Sequence, residues 1–110
     1  MSTYTPDGWI ILKIGGPEPL YKVFGSWRGG FTSGDSWRMN SGIVSVEETG
    51  ENYIFRGHSG SEYHCGKKGY GRLGLHNSAI IMSYAKRSSG MLEVIQEMPD
   101  IMSMNWSIND

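Results

Sequence analysis

Glycine constrains this chain more than any other residue. It supplies 16 of 110 positions, about twice the usual ~7%. The glycines are dispersed with no collagen-like period, so they read as turns and points of close backbone approach. The chain is thereby cut into short pieces. Trp9-Ile10-Ile11-Leu12-Lys13-Ile14, stopped by Gly15-Gly16-Pro17, reads as a buried strand. Leu20 to Trp27 alternates Tyr21, Val23 and Gly25 against Lys22, Phe24 and Ser26, a second strand with two unlike faces. Arg28 to Asp35 is a Gly/Ser/Thr-rich loop. Ser36 to Glu47 resumes strand character with Gly42 as a bulge or bend.

The turn Glu48-Thr49-Gly50-Glu51 makes a hairpin of Ile43–Glu47 and Asn52–Arg56. His58-Ser59-Gly60-Ser61 turns into Glu62–Cys65, and the glycine-rich run from Gly66 to Gly74 is an ordered loop around Tyr70. The period then changes. Asn77 is a candidate N-cap, Ile80, Ile81, Tyr84 and Ala85 fall at helical spacing, and Gly90 is a stop, predicting one helix over Ser78–Ser88. Met91–Met98 alternates again and ends at Pro99. Residues 99–110, with Ile101, Met102, Met104 and Trp106, are too apolar for a plain tail and are expected to dock on the domain or on a neighbouring subunit. The expected fold class is α+β: a small twisted, mainly antiparallel β-sheet with one late α-helix over one face, and a small β-barrel as the alternative. The length fits one domain, residues 1–110, with a modest core.

Charge narrows the functional classes. Ten basic and 11 acidic side chains leave a formal net charge of -1, whereas proteins that track a long polyphosphate backbone usually carry a basic excess. A long nucleic acid is therefore not the expected partner. The single Cys65 forms no internal disulfide, no signal-peptide pattern is seen, and no apolar run approaches the ~20 residues of a membrane helix. The expected setting is the cytoplasm, with no membrane association.

The chain carries a near repeat, Gly25-Ser26-Trp27-Arg28 and Asp35-Ser36-Trp37-Arg38, around a glycine-rich loop. Each copy offers a hydroxyl, a flat aromatic and a guanidinium, the set suited to a nucleobase with phosphate. Asn40-Ser41-Gly42 adds an amide and a close-approach backbone. The plainer reading is two core tryptophans on paired strands, with Arg stems covering them. The loop Gly57-His58-Ser59-Gly60-Ser61 before Tyr63 can form an anion-binding nest or be an ordinary turn. Lys67, Lys68 and Arg72 near Tyr70 can close over phosphate, although a basic loop is more often simply solvated. His58, His64, Cys65 and His76 lack metal-ligand spacing, and His64 and Cys65 face opposite ways on a strand. No nucleophile–base signature, paired carboxylates or phosphate-binding loop appears. The expectation is binding without catalysis, with no cofactor and no metal.

Gly34-Asp35-Ser36-Trp37-Arg38-Met39-Asn40-Ser41-Gly42-Ile43, then Gly57-x-Ser59-Gly60-Ser61-x-Tyr63-x-Cys65 and Gly69-Tyr70-Gly71, resemble a widespread family of small bacteriophage proteins, with the middle two thirds of the chain carrying the motifs. Within it the chain resembles the phage anti-CBASS sponges, oligomers that sequester cyclic dinucleotide immune signals of the host without cleaving them. The resemblance implies a cyclic dinucleotide such as cyclic GMP-AMP as ligand, a homo-oligomer, and the cytoplasm of the infected bacterial host. Combined with residue chemistry, it casts Trp27 or Trp37 and Tyr63 or Tyr70 as base stackers. Arg28, Arg38 and Lys67 would face phosphates; Ser36, Asn40, Ser41, Ser59 and Ser61 would donate hydrogen bonds. The competing expectations are a protein-binding phage accessory factor, a small phosphodiesterase-like enzyme and a virion component.

Overall fold

The computed structural model describes residues 2–16, 19–28 and 36–106. The expected loop of residues 28–35 lies, apart from Arg28, outside the described residues, as do Pro17 and the last four positions. The strands are β1 (Thr3–Tyr4), β2 (Gly8–Ile14), β3 (Leu20–Trp27), β4 (Ser36–Met39), β5 (Ile43–Glu48), β6 (Asn52–Gly57), β7 (Glu62–Gly66) and β8 (Leu92–Ile95), with α1 (Gly74–Arg87) before β8. The fold is α+β, as the sequence predicts, and among the described residues no barrel closes.

The strands form two sheets rather than one. The first has the order β4-β3-β2-β8 and is antiparallel. The second has the order β1-β7-β6-β5 and is antiparallel except for the parallel β1–β7 pair. The split falls inside Ser36–Glu47, which sequence patterning reads as one bent strand. Gly42, at φ +131°, redirects the chain from β4 in one sheet to β5 in the other. A Cβ there would stand 2.9 Å from both the His58 ring and the Leu20 side chain, so only glycine fits the crossing.

The central sheet is covered on both faces. Trp9, Ile11 and Val23 pack toward the second sheet with Ile43, Phe55, Tyr63 and Cys65. Alternate residues Ile10, Leu12 and Phe24 pack with Leu73 and Ile81 around α1, and with Val94. This double burial explains why Gly8–Leu12 is buried at every position, where a half-exposed strand would alternate.

The helix and the last strand differ most from expectation. The helix begins about a turn earlier, at Gly74. Asn77 does not cap it; fully buried, it donates from Nδ2 to Ser26 Oγ and to the Ser36 carbonyl, both at 2.8 Å. At the other end Ser88 Oγ donates to the Ala85 carbonyl and Gly90 adopts φ +87°, as the stop signal predicts. Strand β8 covers only Leu92–Ile95 of the expected Met91–Met98, because Tyr70 closes the β2–β8 ladder. Its hydroxyl accepts from the Ile11 N–H at 3.2 Å and donates to the Ile95 carbonyl at 2.6 Å. The C-terminal segment packs on its own domain through Trp106. That indole donates to the Ile101 carbonyl at 3.0 Å and meets Tyr21 and Phe55 edge-on.

Because that docking is intramolecular, Trp106→Ala should cost about 3–5 kcal/mol, a loss relative to the parent that stays the same across protein concentrations in chemical denaturation. Burial also ties stability to alkaline pH. Tyr63 and Tyr70 are pushed up to about 12, mainly by desolvation, while an unfolded tyrosine ionises near pH 10. Below pH 10 both states keep their protons and stability is complete; between pH 10 and 12 the unfolded chain ionises first and stability falls. Tyr70→Phe should cost about 1–3 kcal/mol at neutral pH and flatten that alkaline decline in pH-resolved denaturation curves.

Candidate functional site

Strand alternation decides what the repeated Ser-Trp-Arg motif can do. In the β3–β4 ladder Ser26 pairs with Trp37 and Trp27 pairs with Ser36. Directly paired residues share a face, so the two tryptophans stand on opposite faces of the sheet and cannot clasp one base. Trp37 stacks on Phe24 at 5.3 Å on the helix side, with Tyr84 edge-on. Trp27 lies on the other face, half-buried against Tyr4, and donates from Nε1 to the Thr5 carbonyl at 3.1 Å.

That second face leads to a polar cleft. Arg38 pairs with Gly25 and so projects on the Trp27 side. Chain reversal at Asn40–Gly42 then brings β4 against the β6–β7 turn. Ser59 N–H donates to Ser41 Oγ at 3.0 Å, His58 N–H to the Gly42 carbonyl at 3.1 Å, and Ser59 Oγ lies 3.4 Å from Ser61 Oγ. The result is a cavity of about 190 Å³ lined by Tyr4, Arg38, Asn40, Ser41, Ser59, Ser61 and Tyr63, among others. Six residues expected from sequence therefore converge: Arg38, Asn40, Ser41, Ser59, Ser61 and Tyr63.

The cleft is a set of donors. Arg38 is exposed and lies over the Tyr4 ring at 4.7 Å, a cation–π contact that holds the guanidinium at the rim. It forms no carboxylate pair among the described residues. Asn40 is 4% exposed. Its Oδ1 accepts from the Val23 N–H at 2.9 Å, fixing Nδ2 as a donor, and Nδ2 has no partner among the described residues. Burial raises the Tyr63 phenol to about 12, although the Arg38 charge pulls it down. Tyr63 thus stays protonated at neutral pH. No carboxylate, imidazole or thiol is among the described lining residues, so the arrangement suits holding an anion more than moving its protons.

Tyr63 lines the cleft but is 1% exposed, with its ring in the core. The other expected residues lie elsewhere. The Tyr70 hydroxyl is committed to Ile11 and Ile95. Lys67 pairs with Glu48 at 2.7 Å and lies over Tyr53. Ser36 is exposed, and its carbonyl serves Asn77. Arg28 donates its backbone N–H to Asp7 Oδ2 at 2.8 Å and lines a different groove. Sequence reasoning missed Tyr4. It reaches the cleft because β1 pairs in parallel with β7, Tyr4 opposite Tyr63, a contact across almost 60 positions that no local pattern announces.

The buried Cys65 thiol is pushed up by desolvation, and His64 lies 3.1 Å from Glu62 on the opposite side of β7. Among the described residues no group of three or more His, Cys, Asp or Glu is placed to hold a metal, and no helix is long and apolar enough to cross a membrane. No protein-family model, curated protein or solved structure matches this chain.

Gly57 lies directly against two residues of the cleft. A Cβ there would meet Ser41 Oγ at 2.9 Å and Asn40 Nδ2 at 3.3 Å. Gly57→Ala should cost about 1–3 kcal/mol in chemical denaturation. Gly50→Ala, with open space around it, should stay within about 0.5 kcal/mol of the parent.

Proposed function

We propose that this chain binds and sequesters a cyclic dinucleotide, such as cyclic GMP-AMP, without cleaving it, and so acts as a phage immune-evasion protein in the cytoplasm of an infected bacterial host. The observation that carries this reading is the Arg38 cleft. A guanidinium with no carboxylate partner among the described residues meets three serine side chains and a buried amide donor, drawn from two separated loops. Such a donor set complements a phosphodiester. The cavity, about 190 Å³, falls below the ~300 Å³ where small-molecule pockets usually begin. One cleft therefore takes one phosphodiester with its nearest sugar atoms. A homo-oligomer fits this size: a two-fold axis presents two equal clefts to the two phosphodiesters of the ring.

A second reading, a protein-binding accessory factor, is favoured by the outer surface of α1. Leu75 is 92% exposed and Met82 43%, and these positions, seven residues apart, share a helix face.

The decisive measurement is calorimetric titration of cyclic GMP-AMP into the full chain, with the ligand then recovered by heat denaturation. Expected are one ligand per two chains, intact ligand on recovery, and about a ten- to hundred-fold loss of affinity in Arg38→Ala. Linear or hydrolysed product would overturn sequestration in favour of catalysis. No cyclic dinucleotide binding, with a host protein retained by the parent and released by Leu75→Asp, would favour the second reading.

A further inference from the structure

A separate basic groove shares no described lining residue with the Arg38 cleft. Arg28, just after β3, and Lys68 and Arg72, on the loop after β7, line one cavity of about 380 Å³ with Asp7 and Gly69. An adjoining groove of about 480 Å³ shares Asp7, Lys68 and Gly69. Elsewhere cations near carboxylates pair with them: Arg56 with Glu47 and Glu62, and Lys67 with Glu48. Among the described residues, Arg28, Lys68 and Arg72 form no such pair. The one acid present, Asp7, is engaged by the Arg28 backbone N–H.

The loop that carries Lys68 and Arg72 is held far more firmly than a solvated basic loop needs to be. Trp9, with no exposed surface, donates from Nε1 to the Gly66 carbonyl at 2.6 Å, and the Gly71 N–H donates to the Trp9 carbonyl at 2.7 Å. The Arg72 N–H donates to the Gly69 carbonyl at 3.1 Å. A Cβ on Gly8 would lie 1.7 Å from the Arg72 carbonyl oxygen, so β2 runs directly beneath this residue. The backbone that carries the two cations is held before any anion arrives, which lowers the ordering cost of binding.

We infer that this groove is a second anion site, independent of the Arg38 cleft, for a group carrying two adjacent phosphates. Three cations on two stretches of chain, beside one carboxylate that already accepts the Arg28 N–H, exceed the need of a single phosphodiester, and they match a diphosphate. The volume admits such a group with a sugar attached.

The probe is inorganic pyrophosphate, titrated calorimetrically into the full chain at low salt, with a nucleoside diphosphate as a second arm. Expected is saturable binding that weakens as salt rises and loses about ten-fold or more in the double variant Lys68→Gln, Arg72→Gln. Both side chains are exposed, so the melting temperature without ligand should be retained. Arg38→Ala should leave pyrophosphate binding unchanged. Tighter binding of the nucleoside diphosphate assigns the groove to a nucleotide, and equal binding assigns it to the free anion. Absence of saturable pyrophosphate binding, its survival in the double variant, or its loss in Arg38→Ala would overturn the inference.

Discussion

The hydrogen bond from the Trp9 indole to the Gly66 carbonyl holds the architecture together. Trp9 belongs to the central strand of one sheet and Gly66 ends a strand of the other, so the bond crosses the layers. The Trp9 ring also meets Phe55 at 5.4 Å and Tyr70 edge-on at 4.8 Å. A buried indole N–H needs a partner, and this one finds it only where β7 runs into the glycine-rich loop. That requirement fixes where the loop departs. Through Tyr70 it also fixes where β8 stops pairing. One buried aromatic therefore sets the sheet spacing and the loop path, and with them the seat of Lys68 and Arg72.

Much of this was legible in the residues. The apolar run at Ile10–Leu12, the Thr49–Gly50 turn between β5 and β6, and the Gly90 stop after α1 are local signals, and each lies where its local chemistry puts it. What escaped was non-local. Gly42 looked like a bend within one strand, because sequence does not say which sheet the next strand will join. Asn77 has the chemistry of a cap, but Ser26 and the Ser36 carbonyl, both distant in sequence, draw its amide inward. Tyr4 was invisible as part of the cleft because its partner Tyr63 is far along the chain.

The Ser-Trp-Arg repeat shows the same lesson at one site. Two identical triplets suggested two identical roles, yet an antiparallel register gives successive residues opposite faces. In this register one tryptophan faces the helix and the other the N-terminal segment. Arg38 lines the cleft, while Trp27 and Trp37 are held apart by the sheet between them. The polar side chains expected around an anion are ones the fold gathers into one cleft, whereas the two tryptophans cannot serve the same face.

Strand β1 carries a further consequence. It is two residues long and joins the sheet in parallel, through Thr3 opposite Glu62 and Tyr4 opposite Tyr63. Parallel pairing is the weaker kind, and short elements held by few bonds open well below the energy of global unfolding. The platform under Arg38 therefore belongs to a part of the domain able to detach while the Trp9-centred core stays closed. Any occupant touching both Arg38 and Tyr4 would act as a clasp on β1, slowing amide exchange at Glu62, whose N–H donates to the Ser2 carbonyl. The cleft would then report its occupancy in the breathing of β1, with no shift in the sheets.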